Sequence, residues 1–104
     1  MKQKAYIAGV GMTPFGNALD QSLSQLASTA INEALKDAGI GAKDLGAAYM
    51  GNAAAGVITG QVCVPGQVVL RNMGIGRIPV INVENACATS ATAFQQAATM
   101  VTLG

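Results

Sequence analysis

With 104 residues, 51% of them apolar and only 11% charged, the chain is long enough for one domain with a modest core. Its charge falls well short of the roughly one quarter found in an ordinary soluble domain. Six basic and five acidic residues leave a net charge of +1 with no cluster of either sign, which argues against nucleic acid or an anionic membrane as a partner. No apolar run approaches the ~18 positions of a membrane-spanning helix, and a chain with no histidine and two distant cysteines offers no metal-ligand set. Free thiols without a disulfide framework suit a reducing compartment, so the cytoplasm is the expected location. So apolar a chain is expected to have much of its surface covered by other protein.

The opening residues, MKQKAYIAGVGMTPFG, read as a strand over Ala5 to Val10 followed by a Gly- and Pro-containing turn. The apolar run is too short and too glycine-interrupted for a signal peptide. From Leu23 onward, Leu26, Ala27, Ala30, Ile31, Ala34, Leu35 and Ala38 recur at three- and four-residue steps, which predicts a helix with one apolar stripe. Asp20 or Ser22 is its N-cap, and Gly39 suits the left-handed C-terminal position. LGAAYMGN, from Leu45 to Asn52, predicts a second strand, and AAAGVITGQ a glycine-rich loop leading away from it. A short helix is expected over about Gly66 to Met73, closed by Gly74 and Gly76, and a third strand over Pro79 to Val83. Ala88 to Leu103 carries no charge on any face, the pattern of a buried helix. Alternating strands and helices predict an α/β layer with parallel strands and right-handed crossovers.

One residue at these junctions carries chemistry. Cys87 follows the third strand and opens the last helix, where unpaired N–H groups and the helix dipole favour negative charge. A thiolate is stabilised in such a place, and the same N–H groups can hold an oxyanion as the sulfur attacks a carbonyl. Ala88, Thr89, Ser90 and Ala91 would let a substrate approach the backbone closely. The competing reading makes Cys87 a small inert residue filling a tight corner, as free cysteines commonly are, and Cys63 is read as a packing residue on the same ground.

The segment NVENACATSATAFQQAA, with PGQVVLRNMGIGRIPVI before it, resembles the nucleophile segment of the thiolase superfamily. AYIAGVGMTPFG is similar to that family's first strand and loop, especially in the sterol-carrier-protein type and its bacterial relatives, and LSQLASTAINEALKDAGI and AAYMGN follow in the family's order. The resemblance implies a layered α/β half-domain, incomplete here, with residues 1–104 a partial thiolase N-terminal domain. It further implies acyl transfer between coenzyme A thioesters through a cysteine acyl-enzyme, by thiolytic cleavage or Claisen condensation. Cys87 is then the catalytic nucleophile and its N–H one oxyanion donor. Acyl-CoA and coenzyme A are substrates, no cofactor is permanently bound, and the full-length protein is expected to form a homo-oligomer.

The chain departs from the family in two ways. Ser90 stands where many thiolases have glycine, which bears on substrate preference. The catalytic histidine and second cysteine come, in the family, from the C-terminal half, and Cys63 lies too early for the latter. Gly104 follows the buried helix with no further strand to pair, so the 104 residues are expected to be the first part of a longer enzyme, inactive alone. A ketoacyl-synthase-like condensing enzyme is an alternative, as is a non-catalytic thiolase-like subunit or scaffold. The Gly-x-Gly of GVGMTP lacks its third glycine, which is Pro14, and is a poor nucleotide motif. Glu84 and Asn85 either orient the turn before Cys87 or meet a partner subunit. Arg71 and Arg77 either meet a coenzyme A phosphate or are solvated charges.

Overall fold

A computed structural model describes residues 2 and 4–104. Helix α1, Leu23–Ala38, begins in a capping box. Ser22 Oγ accepts the Gln25 N–H at 3.1 Å, and the Ser22 N–H donates to Gln25 Oε1 at 2.7 Å. Gly39 ends the helix at φ 71°, its N–H reaching the Leu35 and Lys36 carbonyls. Both cap expectations are met, with Ser22 rather than Asp20 at the N-cap.

After a 3-10 turn at Ala42–Asp44 come strand β1, Ala48–Gly51, helix α2, Ala55–Thr59, helix α3, Pro65–Asn72, and strand β2, Val80–Val83. The strands pair in parallel, with Ala48 opposite Val80 and Gly51 opposite Val83. A second 3-10 turn, Ala86–Ala88, then leads into helix α4, Thr89–Leu103.

Helices α3 and α4 take opposite faces of this sheet. A Cβ on Gly66 of α3 would stand 2.8 Å from Val80 Cγ1 and 2.9 Å from Met50 Cβ, so the absent side chain is what lets α3 lie against the strands. Asn82 fixes the contact by accepting the Gly66 N–H at 2.7 Å. Gly51, the next residue after Met50, faces α4, where a Cβ would meet Thr89. Successive strand residues point to opposite faces, so the sheet is sandwiched. The small core gathers here, with Val69 and Leu70 of α3, Ala55 of α2, Ile75, Ala93 and Thr89 buried.

Three expectations need correction. Residues 4–10 pair with neither strand, so the sheet has two strands among the described residues rather than three. A strand exists through its ladder, and here the backbone finds other partners. The Val10 N–H donates to Asp37 Oδ2 at 2.9 Å and the Lys4 N–H to Thr102 Oγ1 at 3.0 Å. Gly9 and Gly11 press against the α1 backbone at Ala30, Ala34 and Ala38. Secondly, the glycine-rich loop contains α2, started by Asn52 Oδ1, which accepts the Ala54 and Ala55 N–H groups at 3.1 and 2.6 Å. Thirdly, α4 is not a buried helix: away from the sheet Phe94 is 60% and Val101 63% exposed. Between the N-terminal segment, α1 and α4 lies an open apolar cavity of about 630 Å³, lined by Ile7, Ile31, Leu35, Phe94 and Val101 among others.

Candidate active site

The end of β2 and the start of α4 are joined by a short, heavily tied turn that carries Cys87. Val83 closes the strand, and Ala86 adopts φ 46°, in the left-handed region that alanine rarely enters. That conformation turns the chain out of the strand direction and into the 3-10 turn Ala86–Ala88.

The peptide groups around Ala86 are held at both ends. Its N–H donates to Glu84 Oε2 at 2.6 Å, and its carbonyl accepts the Thr89 hydroxyl at 2.7 Å. Thr89 Oγ1 in turn accepts the Asn85 N–H at 2.8 Å. Asn85 Nδ2 donates to Thr92 Oγ1 at 3.0 Å, and the Thr92 hydroxyl donates to the Ala88 carbonyl at 3.0 Å. Glu84 and Asn85 therefore do orient the turn, one of the two roles open to them from the sequence. The bonding roles of Thr89 and Thr92 and the left-handed Ala86 are not among the sequence-based expectations. A threonine in the first turn of a helix can bond nearby backbone through its hydroxyl, which points to Thr89, whereas nothing in an alanine announces a positive φ.

Cys87 stands exposed in this turn with a free thiol. Its own N–H meets no acceptor among the described residues. It lies at the N-terminal end of a 15-residue helix, where helix-dipole charge is positive and a nearby anion is favoured. Such an arrangement can present a sulfur nucleophile and place a donor beside it. Beside the turn is an open cavity of about 360 Å³ bordered by Asn52, Ala55, Val62, Pro65, Val83 and Glu84, which Cys87 does not line.

The remaining candidates stand apart. Cys63 is exposed, contrary to its reading as a packing residue, because residues 60–64 form a surface turn in which Gly60 and Val64 are both left-handed. Its carbonyl accepts a bond from Gln61 Nε2. Arg71 lies in the last turn of α3 and Arg77, at φ 63°, precedes β2; both are exposed. Gly9 and Gly11 of the Gly-x-Gly pattern serve the close approach to α1 rather than an open phosphate cradle. Among the described residues no group of three His, Cys, Asp or Glu could hold a metal ion, and no helix is long and apolar enough to cross a membrane.

Comparison with known proteins gives the family. The model of the thiolase N-terminal domain matches residues 5–104. Over its whole length the chain is 39% identical to 26% of a benzoylsuccinyl-CoA thiolase subunit from Thauera aromatica. It is 36% identical, over 94% of its length, to 25% of an acetyl-CoA acetyltransferase from Methanocaldococcus jannaschii. A sterol carrier protein 2 from Gallus gallus is 34% identical over 90% of the chain and 17% of its own length. The chain thus spans about a quarter or less of these relatives.

Proposed function

Because the chain belongs to the thiolase family, we propose that it is the part of an acyltransferase that supplies the acyl-accepting cysteine, Cys87, for exchange between coenzyme A thioesters. The observation that carries this reading is the exposed thiol of Cys87 in the turn between β2 and the N-terminus of α4. Deprotonated, its sulfur attacks the thioester carbonyl carbon. The oxyanion that forms is met by the Cys87 N–H, and collapse breaks the bond to coenzyme A, which leaves as the thiol after gaining a proton. The enolate of a second acyl-CoA then takes the acyl group and releases the thiolate of Cys87, which is Claisen condensation. In thiolysis, its reverse, the sulfur attacks the 3-keto carbon of a 3-ketoacyl-CoA, the C–C bond breaks to release an acyl-CoA enolate that gains a proton, and coenzyme A takes the acyl group from sulfur.

The base for these proton transfers lies outside residues 1–104, which contain no histidine. Residues 1–104 act as a partial N-terminal domain. The complete protein works in the cytoplasm, as a homo-oligomer joined along the edge of β2 that β1 leaves free. The subunit named for the Thauera relative favours a second arrangement, in which a chain of this type works beside a different one.

Full-length protein mixed with acetyl-CoA and digested should yield the Cys87 peptide heavier by one acetyl group. An unmodified peptide, or an acetylated protein after Cys87→Ala, would remove the assignment.

A further inference from the structure

We propose that Glu84 is a positioning residue for Cys87, holding Ala86 in the left-handed conformation from which the cysteine turn starts. The inference rests on the nucleophile reading of Cys87 and deepens it. Ala86 has φ 46°, a conformation disfavoured for any residue with a Cβ, so something must hold it there. Its carbonyl is held by Thr89, which is 4% exposed and anchored in α4. Its N–H is held by the Glu84 carboxylate at 2.6 Å, a charge-assisted bond from a side chain two positions back. The two clamps differ in kind. Thr89 belongs to the core, whereas Glu84 is exposed and bonded to nothing else among the described residues. Removing Glu84 thus spares the packing while freeing Ala86 to relax to negative φ, and Cys87 is the next residue along.

The role predicts a rescue that no substrate-contacting or proton-transferring Glu84 would show. Glycine occupies positive φ without steric cost, so Ala86→Gly should make the Glu84 clamp dispensable. In full-length protein, the rate of Cys87 acetylation by acetyl-CoA and the rate of its alkylation by iodoacetamide are measured for the wild type, Glu84→Ala, Glu84→Gln, Ala86→Gly and the double variant Glu84→Ala/Ala86→Gly. Both rates should fall about tenfold in Glu84→Ala, the size of effect that releasing one strained residue allows. Glu84→Gln, which keeps a neutral acceptor, should fall less, and the double variant should return to within about threefold of Ala86→Gly alone. Full activity in Glu84→Ala, or a loss in that variant that Ala86→Gly does not restore, would overturn the role. If the wild type itself takes no acetyl group, the nucleophile reading fails instead; the alkylation series, which needs no thioester, still decides whether Glu84 sets the cysteine's position.

Discussion

Thr89 fits beneath the cysteine turn only because residue 51 has no side chain: a Cβ on Gly51 would stand 2.7 Å from Thr89 Cγ2. The glycine at the end of β1 therefore lets α4 start close to the sheet, with the Thr89 hydroxyl left to bridge Asn85 and Ala86. Gly51→Ala should destabilise the fold by ~1–3 kcal/mol, the usual size of an overpacking penalty. It should also slow any reaction of Cys87. Gly46→Ala, at a position with nothing within 4 Å of the added methyl, is the control and should leave the thermal unfolding midpoint unchanged.

The same logic applies where the N-terminal segment crosses α1. A Cβ on Gly9 would lie 2.6 Å from the Ala38 nitrogen and 2.8 Å from Ala38 Cβ, and backbone atoms cannot step aside. Gly9→Ala should lift residues 4–11 off the helix. Hydrogen exchange is the measurement: the Val10 amide, bonded to Asp37, should lose protection while amides in the middle of α1 keep theirs. Retained protection at Val10 would show that the close approach is not needed.

At the start of α1 the reciprocal bonds between Ser22 and Gln25 satisfy two donors. Ser22→Ala should cost about 1 kcal/mol, and Ser22→Asp, which keeps an acceptor, only a fraction of that. A thermal melt of the two variants beside the wild type separates capping from a general effect of substitution at the site.

Much of this is legible in the sequence. The stripe of α1, its two caps and the passage from β2 through Cys87 to α4 follow from periodicity and from where serine, glycine and branched residues fall. AYIAGV has strand composition, yet composition does not supply a neighbour to pair with, and the segment stays outside the sheet. Helix α2 escaped because Gly56 and Gly60 dominate its appearance, while its actual start signal is Asn52, two residues before the first capped N–H. The clamp on Ala86 was out of reach for a different reason. Glu84 announces a carboxylate but not its acceptor geometry, and a non-glycine residue such as Ala86 rarely carries a positive φ.

An apolar helix covered on one side should be visible in solution. Residues 1–104 produced alone leave Phe94, Met100, Val101 and Leu103 of α4 exposed, together with Tyr6 and Ile7 across the adjoining cavity. Contiguous apolar surface of this kind drives association. Sedimentation velocity should show concentration-dependent self-association, and a single monodisperse monomer at every concentration would mean that this surface closes on itself.

Cys63 and Cys87 are both free and both exposed, so access alone should not separate them. What differs is their setting. Each precedes a helix by two residues and has an N–H with no acceptor among the described residues, but the helix after Cys63 has 8 residues and that after Cys87 has 15. The complete enzyme should add a base beside Cys87. In full-length protein at neutral pH, iodoacetamide should therefore label Cys87 much faster than Cys63, by roughly tenfold or more given the thiolate's dominance as nucleophile. Acetyl-CoA added first should protect Cys87 and leave Cys63 unaffected. In residues 1–104 alone the contrast should shrink, since that base is absent. Cys87→Ser should abolish acyl transfer, because a hydroxyl in the same place stays protonated and is a far weaker nucleophile toward a thioester. Peptide mass spectrometry after timed alkylation reads both sites at once. Equal labelling of the two cysteines in the folded full-length protein, or acyl transfer that survives Cys87→Ser, would show that exposure and not the turn governs Cys87.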